Sequence, residues 1–203
     1  MNNAEKQLVI SSYIGDCYWM RQKTVLRLKF GGYNKEYLNY KRALISTCQK
    51  SKLWASKNRD NILYEFTMGK SALLNKIKEY SFWEVLQELG DMHDLGFALQ
   101  LYDNGSFHKT HKYYVLSIGK EYGEKFAKRY SNYLFNRFNI KGAYRKMVGC
   151  RGYFIQFAKM STPKIAKILK KFPIKSYSYK IPSSETISDI ESRVQEYSKR
   201  NST

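Results

Sequence analysis

The sequence predicts an α+β protein made of two copies of one structural unit, and three observations carry that prediction. First, two apolar segments, VISSYIGDCYW (9–19) and FALQLYDNGSF (97–107), come into register when Asp16 is laid over Asn104, an offset of 88 residues. Second, a strand-like run follows each segment at the same distance, TVLRLKF (24–30) and KYYVLSI (112–118), and each run meets a glycine, Gly31 or Gly119. Third, a helical stretch, a strand and a short basic helix then follow in the same order in both halves. One or two coincidences arise by chance; five elements in sequence mark an internal repeat.

Each element has its own justification. The opening segments read as helices, with Asn2 or Asn3 to cap the first and Asp91 or Asp94 the second, since these side chains accept from exposed amides of a first turn. Ser11, Ser12 and Gly15 in the first, and Gly96 and Ala98 in the second, are small enough to let two helix backbones approach each other. In the first strand region, period-two alternation puts Arg21, Lys23, Arg27 and Lys29 on one face and Leu26, Leu28 and Phe30 on the other. The same positions in the second half are Lys109, His111, Val115 and Ser117. Helices are expected over 34–49 and 120–138, strands over 62–68 and 153–159, and basic helices over 70–80 and 162–172, with further strands completing each sheet. The expected boundaries are 1–90 for the first repeat, 91–182 for the second, and 183–203 for a tail. In that tail Ile187, Ile190 and Val194 recur at helical spacing, Ser183 or Ser184 can cap the helix, and the last few residues are expected to be disordered.

Composition narrows the function. Lys and Arg number 36 against 17 Asp and Glu, a formal charge of +19, which favours a polyanionic partner. Nucleic acid comes first, because each neutralised phosphate releases condensed counterions, and a membrane surface or acidic protein comes second. The 18 tyrosines can stack on bases, although ordinary strand and core positions account for most of them. The N-terminus shows no signal-peptide pattern and no apolar run reaches membrane-span length, so a cytoplasmic protein without membrane contact is expected. Cys17, Cys48 and Cys150 lack C-x-x-C spacing and read as reduced thiols. His108 and His111 form an H-x-x-H pair with no further ligand at zinc spacing.

The ends of the two opening helices hold the candidate chemistry. An acidic or amide residue closes each apolar segment: Asp16 in the first, Asp103 and Asn104 in the second. A carboxylate beside an apolar helix is costly without a partner, and two brought together repel unless a divalent cation lies between them.

VISSYIGDCYW resembles the first LAGLIDADG motif of homing endonucleases, an apolar run with small residues before Gly-Asp-Gly-Tyr. FALQLYDNGSF resembles the second, which commonly ends Asp-Asp-Gly-Ser. The resemblance runs from about residue 5 to Pro182, where Ser-Tyr-Lys-Ile-Pro (178–182) is similar to the Tyr-Lys ending of many members. It implies αββαββα repeats whose motif helices pack together and whose antiparallel sheets form a saddle on double-stranded DNA. It also implies a single-chain monomer that uses Mg²⁺ or Mn²⁺ in phosphodiester hydrolysis, and a bacterial or phage-encoded origin. On this reading Asp16, Asn104 and Lys180 are the catalytic set. Asp16, Asn104 and Asp103 are the metal-ligand candidates. The DNA contacts are Arg21, Lys23, Arg27, Lys29, Lys109, His111, Ser117, Arg145 and Arg151, the first half contributing the more basic face.

The sequence departs from the pattern where the chemistry sits. Asn104 stands at the second acidic position, and its amide oxygen ligates without charge. Asp103 is one residue away, a rotation of about 100° on a helix. Cys17 replaces the glycine that commonly follows the first acid. Lys180 has no clear first-half counterpart, Lys78 being the nearest candidate. The resemblance therefore leaves cleavage of both strands, nicking of one, and a cleavage-inactive DNA-binding regulator all open, with an intron-RNA maturase as a further class.

Overall fold

Asn2 starts the first helix with a reciprocal cap: its side chain accepts from the Glu5 amide at 2.8 Å, and Glu5 returns the bond to the Asn2 amide at 2.8 Å. The helix α1 (Asn3–Ser12) then buries Gln7, Leu8, Val9, Ile10, Ser11 and Ser12 in succession. A helix buried all round cannot leave polar groups unmatched. Here the Ser11 and Ser12 hydroxyls donate back to the Leu8 carbonyl at 2.8 and 2.6 Å.

The computed structural model describes residues 1–15, 17–22, 25–45, 53–68, 72–119, 121–147 and 152–200. After α1 come β1 (Cys17–Gln22), β2 (Val25–Gly32), α2 (Lys35–Ala43), β3 (Trp54–Asn58), β4 (Asn61–Met68), α3 (Ala72–Ile77) and α4 (Phe82–Leu89). The second series is α5 (Asp94–Asn104), β5 (Gly105–His108), β6 (Tyr113–Ile118), α6 (Glu124–Phe138), β7 (Gly142–Lys146), β8 (Tyr153–Phe157), α7 (Thr162–Lys171) and α8 (Ser184–Arg200). Two four-stranded antiparallel sheets result, ordered β1-β2-β4-β3 and β5-β6-β8-β7. The α+β expectation holds, and β1, β3, β5 and β7 are the strands that complete the sheets. The chain divides into two compact units, Met1–Asp103 with Ile174–Ser176, and Asn104–Pro173 with Tyr177–Thr203.

In the first unit the inner sheet face carries Leu28, Phe30, Phe66 and Met68, all buried, and the Phe30 and Phe66 rings stack at 4.8 Å. The helix α2 packs on β2 and β4, α3 on β2, and α1 on α4. In the second unit the inner face carries Tyr114, Leu116, Ile118, Ile155 and Phe157, with α6 packed on β7 and β8. The Ser183 hydroxyl caps α8 at the Thr186 amide, and α8 docks on α7 with Ile190 buried.

Several boundaries differ from expectation. Both opening helices stop sooner than their apolar runs: 17–19 and 105–107 are strand, because the chain changes from helical to strand period without a change in composition. The helix expected over 34–49 ends at Ala43, and 46–50 lie outside the described residues. The helix expected over 70–80 ends at Ile77, and a separate α4 follows, capped by Ser81, whose hydroxyl and Glu84 form a second capping box. His93 precedes α5, so Asp94 sits in its first turn rather than at its cap.

Candidate functional site

Register decides which side chains share a sheet face, because residues directly opposite in an antiparallel pair point the same way. Arg27 pairs with Met20, Lys29 with Tyr18 and with Thr67, and Glu65 with Trp54. These positions form the outer face of the first sheet, away from Leu28 and Phe30. Arg27 and Lys29 are therefore on one face, as expected. Position 21 is not: it pairs with Leu26, which places it on the face of Leu28 and Phe30. The two residues between Gln22 and Val25 reverse the odd-even relation between β1 and β2, so alternation counted straight through the hairpin fails. Of Arg21 only the backbone is described, and Lys23 lies outside the described residues.

The outer face of the first sheet is less positive than its sequence suggests. Lys29 Nζ lies 2.7 Å from Glu65 Oε1, both side chains about one-fifth exposed at 21% and 18%. Arg27 is half-buried and its Nε has no hydrogen-bond partner among the described residues. Trp54 stands 71% exposed on the same face.

On the second sheet the outer positions are Ser106, His108, Tyr113, Val115, Ser117, Ala143, Arg145, Phe154 and Gln156 by the same argument. Arg145 donates from Nε to Gln156 Oε1 at 2.9 Å, which directs its guanidinium across the face. Ser117 is opposite Phe154. Lys109 and His111 are not strand residues: they occupy the turn 109–112 between β5 and β6, and His111 stacks on Tyr113 at 5.8 Å. His108 also stacks on Tyr113, at 5.0 Å, and no group of three metal-ligating side chains occurs among the described residues. Arg151, Cys48 and Cys150 lie outside the described residues.

The helices α1 and α5 touch at two places within the first unit. Gln7 accepts from the His93 amide at 2.6 Å and donates to the Asp91 carbonyl at 3.1 Å, clamping the start of α5 with one side chain. Gly96 makes room for it, since a Cβ there would stand 2.6 Å from Gln7 Oε1 and 3.4 Å from the Gln7 carbonyl. At the other end, a Cβ on Gly15 would overlap Asp103 Oδ2. The small residues Gly15 and Gly96 thus mark both points of close approach.

Asp16, the first candidate acid, lies outside the described residues, and its neighbour Gly15 closes the turn after α1 by donating to the Ser11 carbonyl at 3.0 Å. Asn104 is the last residue of α5 and the first of the second unit. Asp103 is inside α5, and Lys41 Nζ from α2 meets its Oδ1 at 2.6 Å, with both side chains 1% exposed. Lys41 was not singled out from the sequence. Its signal was its place in the stripe Tyr37, Leu38, Lys41, Ile45, where the other three are buried apolar residues. Tyr37 donates to the Leu99 carbonyl at 3.0 Å, so α2 is fastened to α5 at two points one turn apart. Tyr102 is buried, and desolvation together with nearby Tyr40 pushes its phenol up to about 12, so it carries its proton at neutral pH.

Lys180 ends a short 3₁₀ segment, Lys175–Lys180, in which it is buried. Its carbonyl accepts from the Tyr114 hydroxyl at 2.8 Å, and its Nζ lies 4.8 Å from the Tyr177 ring centroid. Lys78 pairs with adjacent Glu79 at 3.1 Å. As donors, the carboxylate of Asp16 and the amide oxygen of Asn104 are hard oxygen ligands of the kind Mg²⁺ takes. Asp103 differs from both, because one of its oxygens is already neutralised by an ammonium.

No protein-family model matches the sequence, and no curated protein matches it. Solved structures do. The homing endonuclease I-WcaI bound to its DNA recognition sequence superposes with a TM-score of 0.72 at 16% identity, covering 89% of this chain and 87% of that one. Mesophilic variants of the homing endonuclease I-DmoI give 0.56 at 14% identity, covering 83% and 96%. Full-length DUF199/WhiA from Thermotoga maritima gives 0.51 at 12% identity, covering 96% of this chain and 61% of that one. At these identities the likeness is one of fold.

Proposed function

We propose that this chain, which has the fold of the LAGLIDADG homing endonucleases, is a sequence-specific DNA-binding protein that hydrolyses DNA phosphodiesters with a divalent metal. The observation that supports the proposal is the likeness of fold, at a TM-score of 0.72 over 89% of the chain, to a homing endonuclease described as bound to its DNA recognition sequence. The formal charge of +19 agrees with a polyanionic partner. Both repeats lie in one chain, so a monomer is the expected state.

On this reading the outer sheet faces meet the major groove. Arg27, Lys29 and Arg145 supply donors to guanine edges and phosphates, and Ser117 supplies a hydroxyl that serves either role. Lys109 and His111, displaced into a turn, serve the backbone rather than the base edges. Asp16 and Asn104 are the residues that would hold a cation, and Lys180 would supply positive charge to the reaction. A divalent cation bound by such residues lowers the pKa of a bound water and stabilises charge on the leaving oxygen. Structures of I-DmoI with DNA and Mn are consistent with that requirement.

A second reading, DNA binding with nicking or without cleavage, is favoured by a specific observation. The α5 end offers a neutral amide at Asn104 and a carboxylate at Asp103 already paired with Lys41. One experiment separates the readings. The protein is incubated with Mg²⁺ or Mn²⁺ and a plasmid library of candidate sites, and the products are resolved as linear or open-circle DNA. Linear product that disappears in Asp16→Ala supports cleavage of both strands. Open circles alone, converted to linear product by Asn104→Asp, support nicking limited by the missing charge. Selective binding to particular sites with neither product in either metal leaves the binding protein and removes the enzyme. Preference for structured intron RNA over every duplex removes both.

A further inference from the structure

We infer that Lys41 is a positioning residue that withholds the Asp103 carboxylate from cation ligation, so that the charge beside the α5 terminus is fixed by an ion pair within the protein. The inference rests on the metal-dependent reading above and concerns which residues serve it.

Four observations lead there. The Lys41–Asp103 contact is short, at 2.6 Å, and both side chains are 1% exposed. The ammonium is enclosed by aromatic faces, 4.5 Å from the Tyr37 centroid and 5.8 Å from that of Phe30, which suits a cation that stays in place. The second carboxylate oxygen, Oδ2, is buried with no hydrogen-bond partner among the described residues and lies where a Cβ at position 15 would go. Finally, Tyr37 and Lys41, one turn apart on α2, bind Leu99 and Asp103, one turn apart on α5, so the pair is held by two rigid helices rather than by a flexible arm.

These facts set the electrostatics. An Asp103 that turned to a metal would leave a buried ammonium unpaired, which is more costly than forgoing one ligand. A divalent cation approaching Oδ2 would also meet the Lys41 charge across the same carboxylate. Asp103 therefore contributes no net charge to a cation at the helix ends, and Asn104 contributes none either. At the α5 terminus a cation would then gain charge from neither residue, and Asp103 acts by filling the space that Gly15 leaves.

The test uses the full chain and the metal alone, with Tb³⁺ as an oxygen-seeking probe sensitised by tyrosine and tryptophan and displaced by Mn²⁺. Lys41→Met is expected to tighten the Tb³⁺ midpoint about tenfold, because it releases a carboxylate and affinity follows ligand charge. Lys41→Met/Asp103→Asn is expected to return within about threefold of the parent, and Lys41→Arg, which keeps the charge, to match it. A double variant that binds markedly more weakly than the parent would overturn the inference, since Asp103 would then be a ligand already. So would a folded Lys41→Met with an unchanged midpoint, or no Tb³⁺ response in any variant. A response in Lys41→Met with none in the parent supports the inference while counting against the metal-dependent reading. If Lys41→Met does not fold by circular dichroism, the double variant and Lys41→Arg decide.

Discussion

Gln7 provides a perturbation whose size can be worked from the structure. Its side chain is 1% exposed, and its two ends bond the His93 amide and the Asp91 carbonyl, which stand two residues apart at the start of α5. Gln7→Met keeps nearly the same volume and removes both bonds. Each is worth about 0.5–1.5 kcal/mol net, so the loss is about 1–3 kcal/mol. Asp91 and His93 are exposed residues, so water can reach the released groups and the lower half of that range is expected. For a chain of this length each kcal/mol lowers the melting temperature by about 2–4 °C, so a fall of about 2–8 °C follows. Gly96→Ala attacks the same clamp from the other side, because the new methyl group would displace Gln7 Oε1 and press on Met92 Cγ, which a Cβ would meet at 2.9 Å. The two substitutions should therefore be strongly non-additive, the double variant costing little more than the worse single one. Thermal and urea unfolding of the parent, both singles and the double give the cycle. Costs that add to within about 0.3 kcal/mol would refute the reasoning, since the two residues would then not share one contact.

Other expectations follow from the same structure. Lys41→Met alone should lose about 3–5 kcal/mol, whereas Lys41→Met/Asp103→Leu should be neutral or stabilised, because an apolar pair replaces buried charges; urea unfolding of both variants checks this. Glu36 accepts from the Lys175 and Ser176 amides, and the Ser176 side-chain hydrogen bond above all holds its carboxyl below the usual range. Its contribution is therefore present at neutral pH and lost as pH falls through that lowered value. Amide exchange at Lys175 and Ser176 should rise on acidification in the parent and be insensitive to pH, beyond the intrinsic rate, in Glu36→Gln. For DNA binding, Arg27→Ala should flatten the plot of log K against log salt by about 0.9 if Arg27 meets a phosphate, and should leave the slope unchanged while relaxing base preference at one position if it meets a base edge.

Much of the fold was legible because burial imposes periodicity. Leu28 and Phe30 alternate with Arg27 and Lys29 within one strand, and the structure keeps them on opposite faces. Legibility ended at the junctions. Parity does not carry across the two-residue connection, so position 21 pairs with Leu26 rather than sharing the register of Arg27, and the alternation counted through Lys109 and His111 runs over a turn, since β6 begins at Tyr113. The helix α4 lies just beyond the basic helix expected over 70–80, in a stretch to which the repeat assigns no element, although Ser81 and Glu84 form a capping box in plain sequence. At the candidate site, the acid-amide asymmetry of Asp16 and Asn104 was visible in the motifs. The capture of Asp103 by Lys41 was not, because it joins residues 62 positions apart. A lysine in an apolar stripe was the available sign.

The odd-even reversal between β1 and β2 bears on how such a chain can change length over time. Two residues separate Gln22 from Val25, and the core at Leu28 and Phe30 pins β2 in place. Inserting one residue there leaves the faces alone only where the connection itself grows to three residues; where the two-residue connection is kept, β1 slips by one and Cys17 and Trp19 are carried away from the interior. Inserting two would leave every face as it is and only lengthen the hairpin. An odd step in length at this tip therefore needs a new type of loop, while an even step needs none, so its size is subject to a parity constraint on descent.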